Sequence, residues 1–290
     1  MSGVKTDRAF TCIACGSPAV EPYCAGESDP NRDIHRAFRF YLCGACGLRF
    51  QRVGSDEAGG LYADVQERAP RTRAAARREL RSDDDVVRTL RRLATGHRLL
   101  DIGPGDGWLL AAARRAGMDC LGVDVSPRLA EAASQRAGVP VLVGQLAELD
   151  LPEGGFDFVN LDGVLMYIPD PRAFLRRVAV LLRPGGICRI REFDPGSLTA
   201  RLVGKRHWMY SPTHVSVWTR RSIRHLAGAT GFRVDRVFPG TEASLGHWLA
   251  TRREPGAVGK VKDVVLFWAR KVQFAGLFLF SDTSYYLGKR

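Results

Sequence analysis

The sequence lacks an apolar run long enough to cross a bilayer. A spanning helix needs about 20 predominantly apolar residues, whereas the longest apolar stretch, Val264 to Phe280, is interrupted by Arg270, Lys271 and Gln273. The first residues also lack the apolar segment of a secretory signal. With 45% hydrophobic and 26% charged residues over 290 positions, the chain is expected to be a globular protein of the cytoplasm, neither fibrous nor disordered.

The disulfide framework of a small secreted scaffold is not expected either, although the chain has seven cysteines. Four of them form two Cys-x2-Cys pairs, each followed by a glycine that lets the backbone turn so that both thiolates face one point. Four thiolates suit a closed, tetrahedral, structural zinc site, whereas a redox pair needs only one such unit. Cys24, between the pairs, is expected to be a spectator. The predicted zinc ligands are Cys12, Cys15, Cys43 and Cys46.

Acidic residues are scarce in the last third of the chain. The formal net charge is +12 at pH 7; it is zero over residues 1–60, +4 over 61–98, −3 over 99–200 and +11 over 201–290. A basic excess clustered in this way favours an anionic partner. Two interpretations follow: contact with nucleic acid phosphates, or a surface that favours a small phosphate-bearing molecule or a membrane.

The strongest motif in the sequence is a glycine-rich turn that lacks one glycine of a nicotinamide dinucleotide site. Residues 97–126 are typical of a strand, a glycine-rich turn, a helix and a second strand that ends in an acid. Trp108 occupies the position of the third glycine of a dinucleotide site. Asp101, before the turn, suits a cationic amino group better than a diphosphate, and Asp124 can accept hydrogen bonds from ribose hydroxyls. The glycines of the turn are Gly103, Gly105 and Gly107.

The Asp-x-Gly-x-Gly-x-Gly turn followed by a strand-end acid resembles the class I S-adenosylmethionine-dependent methyltransferases. The resemblance covers about residues 10–240: residues 141–171 are similar to the family's third strand, adenine loop and fourth strand, and 173–193 to the next helix, turn and fifth strand. With the predicted zinc ribbon in front, the chain is similar to bacterial methyltransferases of sugars, polysaccharide precursors or natural products. The resemblance implies S-adenosylmethionine held by Asp101, Gly103, Gly105, Gly107, Asp124, Val125, Gln145, Leu146 and Asn160.

Two side chains that many relatives carry after the fourth strand are missing. Where those relatives have an acid and a histidine, this chain reads Val-Leu-Met-Tyr at residues 164–167. The polar groups that remain at this strand end are Asp162 and Tyr167. We expect Asp162 to help seat the acceptor or the methionine end of the cofactor, with a turn or cap acid as the alternative.

Methyl transfer from a sulfonium requires mainly alignment, plus proton removal when the acceptor is a hydroxyl or a carbon acid. Among six histidines, His214 lies in a late segment that resembles the family, beside an aromatic cluster, and is the expected base or acceptor contact. The alternative is a histidine hydrogen-bonded within a lid. Glu192 and Asp194 follow the fifth strand and are expected near acceptor hydroxyls.

The expected fold is α/β: a Rossmann-like, seven-stranded, doubly wound sheet with a small N-terminal zinc ribbon. A helix is expected to begin near Ser82, where a serine and three aspartates precede apolar positions. The segment between the two closing strands is expected to pack internally or in a homodimer, or to touch a membrane, through residues 260–280. The predicted units are residues 1–60 (zinc ribbon), 61–98 (helical linker), 99–240 (methyltransferase core) and 241–290 (helical insertion and closing strand).

The expected function is S-adenosylmethionine-dependent O- or C-methylation of a small polar acceptor: a sugar, a nucleotide- or lipid-linked sugar, or a natural product. An RNA or DNA methyltransferase is a rival, weakened by the zero net charge of the ribbon region and by Asn-Leu-Asp-Gly at residues 160–163 in place of an Asn/Asp-Pro-Pro-aromatic motif. A non-catalytic cofactor-binding protein is the second rival, favoured by the missing histidine.

Overall fold

The computed structural model describes residues 10–27, 35–54, 73–239 and 282–290. Within these ranges the chain forms strands and helices in alternation after an all-strand N-terminal part. The strands are β1 Val20–Gly26, β2 Phe38–Cys43, β3 Arg49–Gln51, β4 Arg98–Ile102, β5 Asp119–Asp124, β6 Val141–Val143, β7 Phe156–Asp162, β8 Leu182–Phe193, β9 Ser216–Val217, β10 Phe232–Pro239 and β11 Asp282–Lys289. The helices are α1 Arg73–Leu93, α2 Trp108–Arg115, α3 Pro127–Ala137, α4 Pro171–Leu181, α5 Leu198–Val203 and α6 Arg220–Ala229, with 3₁₀ turns at Leu165–Tyr167 and Gly204–Arg206.

Seven strands form the central sheet in the order β10-β11-β8-β7-β4-β5-β6. Neighbours from β8 to β6 are parallel, whereas β11 is antiparallel to both β8 and β10. The predicted seven-stranded, Rossmann-like sheet is therefore confirmed. The predicted closing antiparallel pair of strands is β10 and β11.

Successive residues of the central strands point to opposite faces of the sheet, as strand geometry requires. Leu99 of β4 and Phe158 of β7 pack with α1 and α2, while Leu100 and Val159, the next residues, pack with α4 and α6. The sheet therefore separates two apolar cores. Its ligand-binding edge is expected at the carboxyl ends of the parallel strands.

The helix before β4 is longer than predicted. It begins at Arg73, so the expected start near Ser82 is wrong. The segment ahead of Ser82 is rich in alanine and arginine, which are strong helix formers, and the helix continues through it. The serine and aspartates, although typical of a helix start, lie in the interior of α1.

A second, four-stranded antiparallel sheet has the order β1-β2-β3-β9. Its first three strands come from the N-terminal part, and β2 ends at Cys43, the first residue of the second Cys-x2-Cys pair. The fourth, β9, comes from the segment between β8 and β10, and it pairs Ser216 with Phe50 and Val217 with Arg49. The N-terminal unit thus shares a backbone ladder with the late part of the chain.

Residues 240–281 lie outside the described residues, and so does the predicted contact segment 260–280. None of the helices in the described ranges is long and apolar enough to cross a membrane.

Asp157 connects the start of β4 to β7 and β8. Its Oδ2 accepts hydrogen bonds from the backbone N–H groups of His97 and Arg98 at 2.9 and 2.8 Å, and its Oδ1 pairs with Arg183. Partial burial would raise the pKa of Asp157, but these N–H groups and the guanidinium hold the pKa below its ordinary value. The carboxylate is therefore ionised at neutral pH, where it contributes to stability.

Asp157→Ala should lower the free energy of unfolding by about 1–3 kcal/mol, because two backbone donors and a guanidinium lose their acceptor. Asp119→Ala is the matched control: its carboxylate is 69% exposed and 3.8 Å from Arg98 Nε, and such surface pairs contribute less than about 1 kcal/mol. Urea unfolding at neutral pH measures both. Equal losses in the two variants would contradict the role of Asp157.

Candidate functional site

The glycine-rich turn joins β4 to α2 at the carboxyl edge of the sheet. Gly103, Gly105 and Gly107 have φ angles of 66°, 54° and 76°, in the left-handed region that favours glycine. A Cβ at Gly107 would lie 2.8 Å from the backbone of Ala133, so the turn packs on α3 there. A Cβ at Gly105 would meet no described atom within 4 Å. The turn is therefore open at Gly105, where a ligand can approach the backbone closely.

Asp101, Asn160 and Arg189 form a polar row across three strands. The register pairs Asp101 with Asn160 and Asn160 with Arg189, so the side chains lie on one face of the sheet. Asn160 Nδ2 donates to Asp101 Oδ1 at 2.7 Å, and Arg189 Nη1 donates to Asn160 Oδ1 at 2.8 Å. All three residues are buried. The amide thus joins a buried carboxyl group to a buried guanidinium.

The pKa of Asp101 lies in the physiological range. Burial raises it to about 7; the hydrogen bond from Asn160 and the charge of Arg189 oppose this rise, while Asp162 adds to it. Asp101 therefore titrates near neutral pH and presents its charge at the start of the glycine turn.

Asp162 ends β7 between two arginines. Its carboxylate oxygens lie 3.2 Å from Arg189 Nη1 and 3.1 Å from Arg191 Nη1, and Arg191 Nη2 also contacts Asp282 of β11 at 3.0 Å. Although burial favours the neutral form, the guanidiniums of Arg191 and Arg189 hold the pKa of Asp162 below its ordinary value. Asp162 is a fixed anion within an ion-pair network.

Asp124 ends β5, next to the glycine turn, and is buried. Its Oδ1 accepts a hydrogen bond from the Ser126 backbone N–H at 2.8 Å, and its carbonyl oxygen accepts one from Gly144 N at 3.0 Å. The second bond ties the segment after β6 to this edge. The other predicted residues here are Val125, which is 41% exposed, Gln145, which is exposed, and Leu146, which is buried.

The segment after β7 lies between the glycine turn and the late part of the chain. A Cβ added at Gly103 would meet Val164 Cγ2 at 2.7 Å, so this segment covers one side of the turn. Further along, the Met166 carbonyl accepts a hydrogen bond from Val215 N at 2.8 Å. The turn and the loop that holds His214 are therefore packed through one short 3₁₀ segment.

His214 is buried and lies beside Tyr167, its ring edge to face with the tyrosine ring at a centroid distance of 5.5 Å. The ring of Trp208 lies 5.9 Å from it. Nδ1 of His214 is 2.8 Å from the Met209 carbonyl oxygen. A carbonyl oxygen only accepts hydrogen bonds, so Nδ1 carries the proton and Nε2 is the basic nitrogen of the neutral ring.

Glu192 and Asp194, expected near acceptor hydroxyls, are both buried and hydrogen-bonded to backbone. Glu192 Oε1 accepts from Met166 N at 3.2 Å, and burial raises the pKa of Glu192 to about 8. Asp194 accepts from Gly196 N at 2.8 Å and pairs with Arg220 at 3.5 Å. Glu192 therefore supports the 3₁₀ segment that carries Tyr167.

The four predicted zinc ligands form one cluster. Their sulfur atoms all lie within 4.8 Å of one another, with 3.6 Å between Cys12 and Cys46 and between Cys15 and Cys43. A tetrahedral zinc with Zn–S bonds of about 2.3 Å needs sulfurs about 3.8 Å apart, so the arrangement fits that metal. Cys24 is outside the cluster, on β1.

The structure brings the predicted carboxylates and glycines of β4, β5 and the turn to the carboxyl edge of the sheet. It places Tyr167 beside His214, after the segment that follows β7. Asn160, predicted to contact the cofactor, lies beside Asp101 on the neighbouring strand and is hydrogen-bonded to it. Sequence reasoning missed Arg189 and Gln51. Arg189 stands between the apolar residues Cys188 and Ile190 of β8, which was a signal for it, whereas nothing in the local sequence marks Gln51.

Comparison with known proteins identifies the family. A family model described as a methyltransferase domain matches residues 73–237, more than half of the chain. The sheet order and the turn agree with that match. The chain therefore belongs to the methyltransferase domain family. It has the class I fold that S-adenosylmethionine-dependent methyltransferases of known structure share.

Curated relatives carry the name ubiquinone biosynthesis O-methyltransferase. The chain is 30% identical to the Methylococcus capsulatus protein over 189 residues, which cover 57% of this chain and 79% of that protein. It is 33% identical to the Cereibacter sphaeroides protein over 129 residues, covering 41% of this chain and 52% of the relative. The chain thus spans about half of the length of the latter.

Solved structures share the fold at low sequence identity. A chain from the complex of the Haloferax volcanii Trm112 methyltransferase activator with a methyltransferase matches with a TM-score of 0.53 and 18% identity, covering 80% of this chain and 97% of that one. A methyltransferase of Archaeoglobus fulgidus matches with a TM-score of 0.50 and 21% identity, covering 71% and 94%.

Proposed function

We propose that the protein transfers the methyl group of S-adenosylmethionine to a hydroxyl oxygen of a small polar acceptor, with His214 as the base. The observation that carries this proposal is the Nδ1–Met209 hydrogen bond, which assigns the proton of the neutral ring to Nδ1 and the basic lone pair to Nε2, in a ring that packs on Tyr167. The names of the relatives, which are O-methyltransferases, support oxygen over carbon.

The residues at the carboxyl edge of β4 and β5 fit S-adenosylmethionine. The backbone open at Gly105 leaves room for the cofactor to lie against the turn. Asp101 suits the ammonium group of the cofactor, and Asp124 suits its ribose hydroxyls. Asn160 orients Asp101 through its hydrogen bond from the neighbouring strand β7. Gly103, Gly107, Val125, Gln145 and Leu146 complete the proposed site. When bound, the cofactor supplies an electrophilic methyl group on a sulfonium.

Binding of S-adenosylmethionine should weaken as the pH falls through about 7, because protonation of Asp101 removes the charge that pairs with the ammonium group. From about pH 8 to pH 6 the ionised fraction falls roughly tenfold, and the affinity should follow. Calorimetry measures this.

Asp101→Asn should bind more weakly and lose most of the pH dependence, and Asp124→Ala should bind at no pH. Asp119→Asn, at the opposite end of β5, is the control and should keep the native profile. Native affinity in Asp124→Ala would reject the proposed cofactor site.

In the proposed reaction the protein aligns the acceptor hydroxyl with the methyl group and removes its proton. Tyr167 packs against the His214 ring and restricts its orientation, while Nε2 of His214 takes the proton. Asp162, locked by two arginines, shapes the acceptor side near the end of β7 without moving a proton.

The acceptor is proposed to be phosphate-bearing or lipid-linked. At the end of α5, a few residues before Trp208, Leu202 is 78% exposed and Val203 is 51% exposed. Exposed basic residues surround them: Arg201, Lys205 and Arg206. Apolar and cationic groups side by side suit an amphipathic anion.

His214→Gln should lower turnover about 100-fold or more, as loss of a general base does, while S-adenosylmethionine affinity stays within about twofold. His225→Gln, exposed on α6, is the control. The assay follows S-adenosylhomocysteine release with free, phosphate-bearing and lipid-linked alcohols, and mass spectrometry locates the methyl group.

Full turnover of His214→Gln would remove His214 from the mechanism. A methyl group found on carbon or on nucleic acid, or cofactor binding without turnover of any alcohol, would replace O-methylation by one of the rival functions.

We also propose that the cysteine cluster holds one structural zinc ion. Purified protein should contain about one zinc per chain, because four thiolates close the coordination sphere. Cys43→Ser should lose most of it. Cys24→Ser is the control and should keep it, since burial raises the pKa of the Cys24 thiol to about 11 and the residue lies outside the cluster. Native zinc content in Cys43→Ser would contradict the site.

A further inference from the structure

The side chain of Gln51, at the end of β3, bonds the N-terminal ribbon to the loop that holds His214. Gln51 Nε2 lies 2.7 Å from the His214 carbonyl oxygen, 3.2 Å from that of Pro212 and 3.3 Å from that of Ser211. Its backbone N–H donates to Val215 O at 2.7 Å. The side chain is 8% exposed.

The three groups around Nε2 of Gln51 require a hydrogen-bond donor at this position. All three groups that face Nε2 are carbonyl oxygens, which accept hydrogen bonds and cannot donate. An amide NH₂ has two hydrogens, so it is shared among the three carbonyls and holds their spacing. A carboxylate of the same shape at this position would bring a fourth acceptor to them.

The ribbon is itself fixed to the rest of the protein at further points. Thr219 Oγ1 donates to the carbonyl of Cys46 at 3.1 Å, and Arg172 Nε donates to the carbonyl of Ala14 at 2.9 Å. Together with the β3–β9 ladder, these contacts hold β3 in place. Gln51 therefore reaches the loop from a supported strand.

We propose that Gln51 is a positioning residue that holds the residue 211–215 loop, and with it His214, for methyl transfer. The expected effect on turnover rests on the proposed function, whereas the claim that Gln51 holds the loop does not. In the described part of the chain the side-chain hydrogen bonds of Gln51 go to the residue 211–215 loop, not to the edge of β4 and β5. Loss of the amide should therefore affect the acceptor side and spare cofactor binding.

The test is Gln51→Glu, which keeps the shape and removes the donor, with Gln51→Met as an uncharged second variant. Gln135→Glu is the matched control, because Gln135 is exposed on α3 and its side chain donates a hydrogen bond to Glu131 of the same helix. Hydrogen exchange measures the amides of residues 209–217, calorimetry measures S-adenosylmethionine affinity, and turnover is assayed on the acceptor.

In both Gln51 variants the loop amides should exchange at least tenfold faster, turnover should fall at least tenfold, and cofactor affinity should stay within about twofold. Gln135→Glu should match the native protein.

Unchanged loop exchange in both variants would overturn the inference, and so would faster exchange with full turnover. Equal loss of protection in α2 and α3 would also overturn it, since that is global destabilisation. If His214→Gln keeps full turnover, the proposed base fails separately, because loop exchange still reports on Gln51.

Discussion

A buried carboxyl group at the end of β4 is the constraint on which the arrangement of the site depends. Burying a carboxylate in an apolar sheet is costly unless hydrogen bonds and charge compensate it. Asn160 and Arg189 supply both for Asp101, from strands that carry apolar residues two positions earlier, such as Phe158. Each of these strands therefore carries apolar core residues first and a polar site residue two positions later. The boundary between the core and the site thus lies within each strand.

The loop that holds His214, on the proposed acceptor side, depends on a second constraint, the pairing of β3 with β9. Because β9 belongs to the late part of the chain, the ribbon contributes backbone hydrogen bonds to the same segment that holds His214. The proposed cofactor edge is built by the central sheet and α2, whereas the proposed acceptor side is built by both units. The four-cysteine cluster closes the turn between β2 and β3, so the structural metal proposed there would support this second constraint indirectly.

Features encoded by short spacing were predictable, and features that depend on register were not. The Cys-x2-Cys pairs and the glycine turn act within a few residues, so their spacing determines their geometry. The cap motif at Ser82 misled because a local signal does not tell whether the preceding residues already form a helix. Arg189 and Gln51 take their roles from strands and loops distant in sequence, and only the folded chain brings those partners together.

Three carboxyl groups on neighbouring strands of this site have different pKa values, and the distribution of arginines explains why. Arg189 and Arg191 both contact Asp162 and keep it ionised, whereas burial with weaker compensation raises the pKa of Asp101 to about 7 and that of Glu192 to about 8. At neutral pH the charge of Asp162 is matched by its arginines and Glu192 is largely neutral. Asp101 is then the carboxyl group of the three whose ionisation changes near neutral pH, and its charge would suit the ammonium group of the proposed cofactor.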